Sequence, residues 1–174
     1  MKRTIFAVVL IALAVLSRIL PHPPNVAPIT ALALFGGAYF SKRYSFLIPI
    51  LAMLVSDAII GFSWESPWVY GSFFAIAGIG IWLRSHRTVV STIGSSLAGS
   101  VLFFIVTNFG VWVLSAVTYP HTVAGLTSCY VAAIPFFRNT LIGDLVYVGT
   151  LFGAFELGIR YVPGLRSAGV TEHA

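Results

Sequence analysis

Hydrophobic runs separated by short polar or proline-rich breaks follow one another along the whole chain. A transmembrane helix needs about 20 mainly apolar residues, and about 17 are enough in some proteins. The sequence therefore predicts six spanning helices, over residues 4–20, 27–40, 44–61, 67–83, 89–115 and 139–162. The second run is short, and Pro49 inside the third run predicts a kink.

Proline marks the two longest breaks. Residues 21–25 include three prolines and cannot stay helical, because proline lacks a backbone N–H and clashes with the preceding turn. Residues 119–137 are apolar but contain Pro120 and Pro135. They predict an irregular outer loop, with one short helix near residues 123–133, ahead of a separate sixth helix.

The first hydrophobic run has two interpretations. A basic start, Lys2 and Arg3, followed by an apolar stretch is typical of a signal peptide. Residues 17–19, however, are Ser-Arg-Ile and make a poor cleavage site. We therefore expect an uncleaved first helix.

Composition agrees with the hydrophobic pattern. Of 174 residues, 58% are hydrophobic and 9% are charged, and the mean hydropathy is +0.95. Soluble domains carry about 25% charged residues. Since so few charges cannot solvate a globule of this size, lipid must surround much of the chain. The expected fold is a single integral membrane domain over residues 1–174, an all-α bundle of six transmembrane helices.

The basic residues fall mainly in pairs between the hydrophobic runs. If the N-terminus is cytoplasmic, eight of the ten lysines and arginines lie on the cytoplasmic side. Because positive residues favour that side of a membrane, the sequence predicts that both termini are cytoplasmic. The net charge of +5 then reflects orientation in the membrane, and nucleic acid is not an expected partner.

Most other polar residues fall at the opposite, outer end of the predicted bundle. This asymmetry predicts a ligand-binding site there. The candidate ligand-binding residues are Arg18, His22, Asn25, Asp57, Trp64, Trp68, Asn108, Trp112, Tyr119, Arg138, Asn139 and Asp144.

Asp57 and Asp144 lie within hydrophobic runs. A charge at the bilayer centre costs about 3 kcal/mol or more, so such residues face the bundle interior or a wet cavity. Either they contact a ligand or a proton, or they pair with Arg18 or Arg138 and hold helices together, and the two roles are compatible. Asn108 lies at a similar level and either binds substrate or bridges helices.

The aromatic candidates also have two interpretations. Trp64, Trp68, Trp112 and Tyr119 either form a wall that stacks on a planar ligand or form a belt that anchors the bundle at the interface.

We expect no metal, no cofactor and no catalysis. His22 and His121 lie beside prolines in outer loops, but two histidines without a third ligand do not make a zinc site. Cys129 is the one cysteine, and we expect a buried thiol, the alternative being contact with a metal-containing ligand. The sequence contains no phosphate-binding P-loop, zinc-protease or serine-hydrolase motif.

Four short segments resemble an uncharacterised family of bacterial membrane proteins assigned to transport. They are PHPPN at residues 21–25, ALALFGG at 31–37, TNFG at 107–110 and NTLIGD at 139–144. The resemblance extends over nearly the whole chain and implies a bacterial inner-membrane protein.

The layout is also similar to that of the S components of energy-coupling-factor (ECF) vitamin transporters, which are six-helix proteins of this size. That resemblance implies an outer substrate site covered by the loop between the first two helices. It also implies a separate ECF energising module, formed by a T subunit and ATPases. Many S components dock through an A-x-x-x-A pattern on the first helix, whereas Ala7, Ala12 and Ala14 form no such pair here. A solitary transporter therefore stays an alternative.

Two functions follow from this pattern. The first is uptake of a small, vitamin-like solute that binds from outside and is released inside, with any ATP use in another subunit. The alternative is a non-transporting membrane scaffold or accessory subunit, in which the polar outer residues only hold the loops together.

Overall fold

The structure, a computed structural model, describes residues 2–21, 23–40 and 42–165, and within these ranges it is entirely helical. The all-α prediction is confirmed. The helices are α1 (Lys2–Ile19), α2 (Ile29–Tyr39), α3 (Lys42–Ile60), α4 (Ser66–Leu83), α5 (Val89–Leu114) and α6 (Val123–Tyr161), followed by a 3₁₀ turn (Pro163–Leu165). Pro49 lies inside α3, as the sequence predicts.

Four helices of the described part are long and apolar enough to cross a membrane: α3, α4, α5 and α6. The chain is therefore a multi-pass helical protein suited to a bilayer. Helix α1 has 18 residues but includes Lys2, Arg3 and Arg18. Helix α2 has 11 residues and is about 16 Å long, well short of a hydrocarbon core of about 30 Å.

The prediction of an irregular loop over residues 119–137 is wrong. Helix α6 begins at Val123 and continues without a break for 39 residues, with Pro135 inside it. The predicted short helix and the predicted sixth helix are thus one element. Helices in apolar surroundings tolerate proline, because ending the helix would leave several backbone groups without partners rather than one.

Helix α2 is the centre of the bundle. Ten of its eleven residues, 29–38, are buried, and it contacts α3, α4, α5 and α6. Its closest neighbour is α4, where two glycines meet. A Cβ atom on Gly37 would lie 2.5 Å from the carbonyl carbon of Gly80, so only glycine permits this approach of the two backbones.

Successive helices run in opposite directions, which gives the bundle two ends. Arg18 of α1 pairs with Asp57 of α3 at one end, which we call the Arg18 end. Arg84, the residue that follows α4, lies at the other end, which we call the Arg84 end. There its guanidinium donates to the carbonyl oxygen of Gly37 at 2.7 and 3.2 Å and also bonds that of Phe40. These bonds satisfy carbonyl groups that the last turn of α2 leaves without helical partners.

Candidate functional site

A cavity of about 360 Å³ opens between the helices at the Arg18 end. All six helices and the α1–α2 loop contribute to its wall, and we call it the Arg18 cavity. Its lining residues are Arg18, Ile19, Asn25, Ala27, Ile29, Thr30, Ile60, Phe73, Phe103, Thr140 and Asp144. Arg18, Asn25 and Asp144 are the residues predicted from the sequence that line it.

The charge of Arg18 is balanced next to the cavity. Its guanidinium lies 2.8 Å from a carboxylate oxygen of Asp57 and also bonds the hydroxyl of Ser56. The other carboxylate oxygen of Asp57 accepts a hydrogen bond of 2.8 Å from the Tyr70 hydroxyl. Asp57 is 4% exposed, so this acid joins α1, α3 and α4 as a buried, paired group behind the cavity wall.

Asp144 has a different environment. It is 3% exposed and lines the cavity, and it accepts a hydrogen bond of 2.6 Å from Ser100 on α5. The hydroxyl of Thr30 on α2 lies near the same carboxyl group and also lines the cavity. These contacts join α2, α5 and α6 through hydroxyl groups. Arg138, which the sequence suggests as a counter-charge, is exposed on α6 two turns earlier.

The α1–α2 loop closes one side of the cavity. Asn25 adopts a positive φ of 62°, a conformation that asparagine tolerates better than most residues. Asn139 on α6 holds this loop, because its amide nitrogen donates to the carbonyl oxygen of Pro24 at 3.1 Å. Val26 packs on Gly143, and a Cβ atom added to Gly143 would lie 3.1 Å from the Cα atom of Val26. Asn139 thus contacts the loop backbone, and His22 lies outside the described residues.

The remaining candidates lie around the start of α4 and the end of α5, away from the lining of the cavity. Trp64 is 91% exposed, and Trp68 lies over Gly110. Trp112 donates from Nε1 to the carbonyl oxygen of Pro120 at 3.1 Å. Tyr119 is half-buried in the turn after α5.

Asn108 does not reach the cavity lining. Its amide nitrogen donates to the carbonyl oxygen of Phe104, one turn earlier on the same helix, at 2.8 Å. The backbone carbonyl oxygen of Asn108 faces the thiol of Cys129 on α6, with 3.5 Å between sulfur and oxygen. Cys129 is buried, and the structure therefore places Asn108 at an α5–α6 contact.

Sequence reasoning missed the hydroxyl and phenyl groups of the cavity. Thr30, Thr140, Phe73 and Phe103 line it, and Ser100 supports Asp144 from behind. The sequence does contain a signal for Ser100, because Ser95, Ser96 and Ser100 lie on one side of α5. Phe73 and Phe103 give no such signal among 14 phenylalanines.

Two further cavities lie at the Arg84 end, with volumes of about 440 and 940 Å³. Arg3, Tyr39, Arg84 and Arg87 line both of them. The guanidinium of Arg87 lies 5.0 Å from the centre of the Tyr39 ring, and the Tyr39 hydroxyl donates to Glu156. The first and the last residue of α2 therefore line cavities at opposite ends of the bundle.

The sequence profile of one protein family, described as "Family of unknown function (DUF6580)", matches residues 1–165. The chain belongs to this family. The match covers all the helices that the structure describes. It agrees with the resemblance of the sequence to an uncharacterised family. No curated protein and no solved structure matches the chain.

Proposed function

We propose that this DUF6580 protein binds a small solute in the Arg18 cavity and carries it across the membrane. The observation that carries the proposal is the cavity itself, which every helix of the bundle lines and where a buried acid meets hydroxyl and phenyl groups. Ligand sites have this character: they are concave, mostly apolar, about 300–1,000 Å³ in volume, and contain a few fixed polar groups.

The proposal includes six membrane crossings. Helix α2 is too short to cross alone, but cavities lie at both of its ends, so water can reach its termini inside the bundle. Helix α1 then crosses with its three basic residues at its two ends. Arg3, Arg84, Arg87 and Arg160 at the Arg84 end favour a cytoplasmic position for that end and an outer position for the Arg18 cavity.

In mechanism, the solute enters the Arg18 cavity from outside. Rearrangement around α2 then opens a path to the cavities at the Arg84 end, where the solute leaves. The chain has no nucleotide-binding motif, so any ATP use belongs to a separate ECF-type module, and the chain itself is a carrier and not an enzyme. The architectural likeness to S components, a bacterial inner membrane and a vitamin-like solute are parts of the same proposal.

Ligand-dependent thermal stability of the purified full chain tests the binding step. A panel of vitamin-like amines, carboxylates and neutral heterocycles should contain a compound that raises the Tm, because a ligand that binds only the folded state stabilises it. Thr140→Leu places a bulkier apolar group in the cavity and should lower ligand affinity at least about tenfold. Thr150→Leu, on the exposed side of the same helix, is the matched control and should bind normally.

Uptake of the bound compound into proteoliposomes tests the transport step. Wild type and Thr150→Leu should accumulate it, and Thr140→Leu should not. If no compound stabilises the chain, while Asp57→Ala and Asp144→Ala still lower its Tm, the alternative of a non-transporting scaffold is correct. In that case the polar groups of the Arg18 end only join helices.

A further inference from the structure

Among the residues that the structure describes, two acids and one basic residue lie in or directly behind the wall of the Arg18 cavity: Asp144, Asp57 and Arg18. Arg18 is the basic residue of its lining, and its guanidinium is already paired with the buried carboxylate of Asp57 at 2.8 Å. Asp144 also lines the cavity, where Ser100 donates to it at 2.6 Å and the Thr30 hydroxyl lies nearby. These hydroxyl groups are neutral, so they do not cancel the charge of the carboxylate.

A buried carboxylate without a counter-charge is costly, and a bound cation or a proton relieves that cost. A cation that reaches Asp144 would also meet aromatic rings. Phe73 and Phe103 line the same cavity and stack with ring centres 5.6 Å apart and an angle of 20° between their planes. An alkyl or aryl body packs well against such rings.

We infer that the solute of the Arg18 cavity is a compact organic cation, whose ammonium group pairs with Asp144 while its apolar body packs against Phe73 and Phe103. This inference rests on the proposed function and assigns its substrate class. A volume of about 360 Å³ suits a small amine or quaternary ammonium ion.

A cationic solute also supplies an energy source that needs no second subunit. A membrane potential of 100 mV, negative inside, favours inward movement of one positive charge about 50-fold. A solitary carrier for a cation can therefore concentrate its solute without ATPases. This agrees with a first helix that lacks the A-x-x-x-A docking pattern.

Matched pairs of probes that differ only in charge give the direct test. Choline and its uncharged isostere 3,3-dimethylbutan-1-ol form one pair, and 2-phenylethylamine and 2-phenylethanol form a second, with 3-phenylpropionate as an anion. We expect the two cations to raise the Tm of the wild-type chain and to compete with each other. The neutral and anionic probes should bind at least about tenfold more weakly.

Two variants then assign the charge to one carboxyl group. Asp144→Asn keeps the shape of the side chain and an acceptor for Ser100, so it should fold and lose cation binding at least about tenfold. Glu65→Gln removes an exposed acid at the same end of the bundle and should bind cations as the wild type does. If Asp144→Asn does not fold, the isostere pairs still decide the matter on the wild type.

The outcomes separate this inference from the proposed function. Stabilisation by neutral or anionic compounds alone, with normal binding by Asp144→Asn, overturns the cation assignment and leaves a solute carrier. Cation binding without uptake into proteoliposomes upholds the assignment and overturns transport. The absence of binding in every probe class overturns both.

Discussion

At the scale of single residues, two buried acids have opposite relations to their surroundings. Asp57 has a full counter-charge in Arg18 and a hydrogen bond from Tyr70. Asp144 accepts a hydrogen bond from the neutral hydroxyl of Ser100, and the Thr30 hydroxyl lies nearby. A paired buried charge stabilises the helix arrangement, whereas an uncompensated one is a feature typical of functional sites.

Removal of one partner of the Arg18–Asp57 pair should be strongly destabilising. Arg18→Met leaves the carboxylate of Asp57 buried without its cation and should lower the free energy of unfolding by about 3 kcal/mol. This is the low end for a buried pair, because the Arg18 side chain is 16% exposed. Unfolding in detergent measures the loss.

The double variant Arg18→Met/Asp57→Asn is the control for that measurement. It removes both charges, so most of the lost stability should return. If the double variant is as unstable as the sum of the two single variants, the pair contributes nothing to the fold, and the role assigned to Asp57 is wrong.

The sequence predicts the Arg18–Asp57 pairing as one of two alternatives, because a buried acid in lipid needs a partner and few are present. It does not predict which residues surround Asp144. The hydroxyl groups near Asp144 come from two other helices, Ser100 on α5 and Thr30 on α2. Their positions depend on how each helix is rotated about its axis, and the serines of α5 indicate which side of that helix is polar but not which helix that side faces.

At the scale of helices, the sequence predicts the starts and ends of α3, α4 and α5 within two residues, since charged or proline-rich segments mark them. It fails at α6, where Pro135 suggests a break that the structure does not contain. The rule that proline ends a helix applies to proteins in water, where the freed backbone groups of a broken helix can bond to water. In apolar surroundings the rest of the helix keeps its own bonds, so the helix continues.

The crossing of α2 and α4 should be intolerant of any added atom. Gly80→Ala places a methyl group 2.5 Å from the carbonyl oxygen of Leu34, so the two backbones must separate. We expect a loss of about 2–3 kcal/mol, typical of overpacking, and a lower Tm.

Gly78→Ala, two residues away on α4, is the matched control. A Cβ atom there meets nothing within 4 Å, and alanine favours a helix over glycine by about 1 kcal/mol. Its Tm should stay the same or rise. Equal losses in Gly78→Ala and Gly80→Ala would mean that the close approach of α2 and α4 is not needed for stability.

At the scale of the whole molecule, the hydrophobic pattern predicts an all-helical membrane protein and its charge asymmetry predicts two unlike ends. The structure shows how unlike they are, with Arg18, Asp57 and Asp144 at one end and Arg84 and Arg87 at the other. The central place of α2 is not predictable from its short length. It follows from the small residues Ala31, Ala33, Gly36 and Gly37, which let neighbouring helices pack closely around α2. Which helices those are depends on the rest of the bundle.

Single cysteines test which end faces the cytoplasm. In a Cys129→Ala background, Val117→Cys should react with an impermeant maleimide on intact cells, because Val117 is fully exposed at the Arg18 end. Ser85→Cys, exposed at the Arg84 end, should react only after the membrane is opened. The reverse labelling pattern would invert the orientation.

The short central helix has an electrical consequence. Cavities lie at both ends of α2, and with water in them the low-dielectric part of the protein narrows to about the 16 Å length of this helix, roughly half of a 30 Å hydrocarbon core. The membrane voltage then falls over about half the usual distance, which doubles the local electric field. A charged group that moves one α2 length would cross nearly the whole potential. Voltage should therefore act mainly on the transfer of solute past α2, and less on its entry into either cavity.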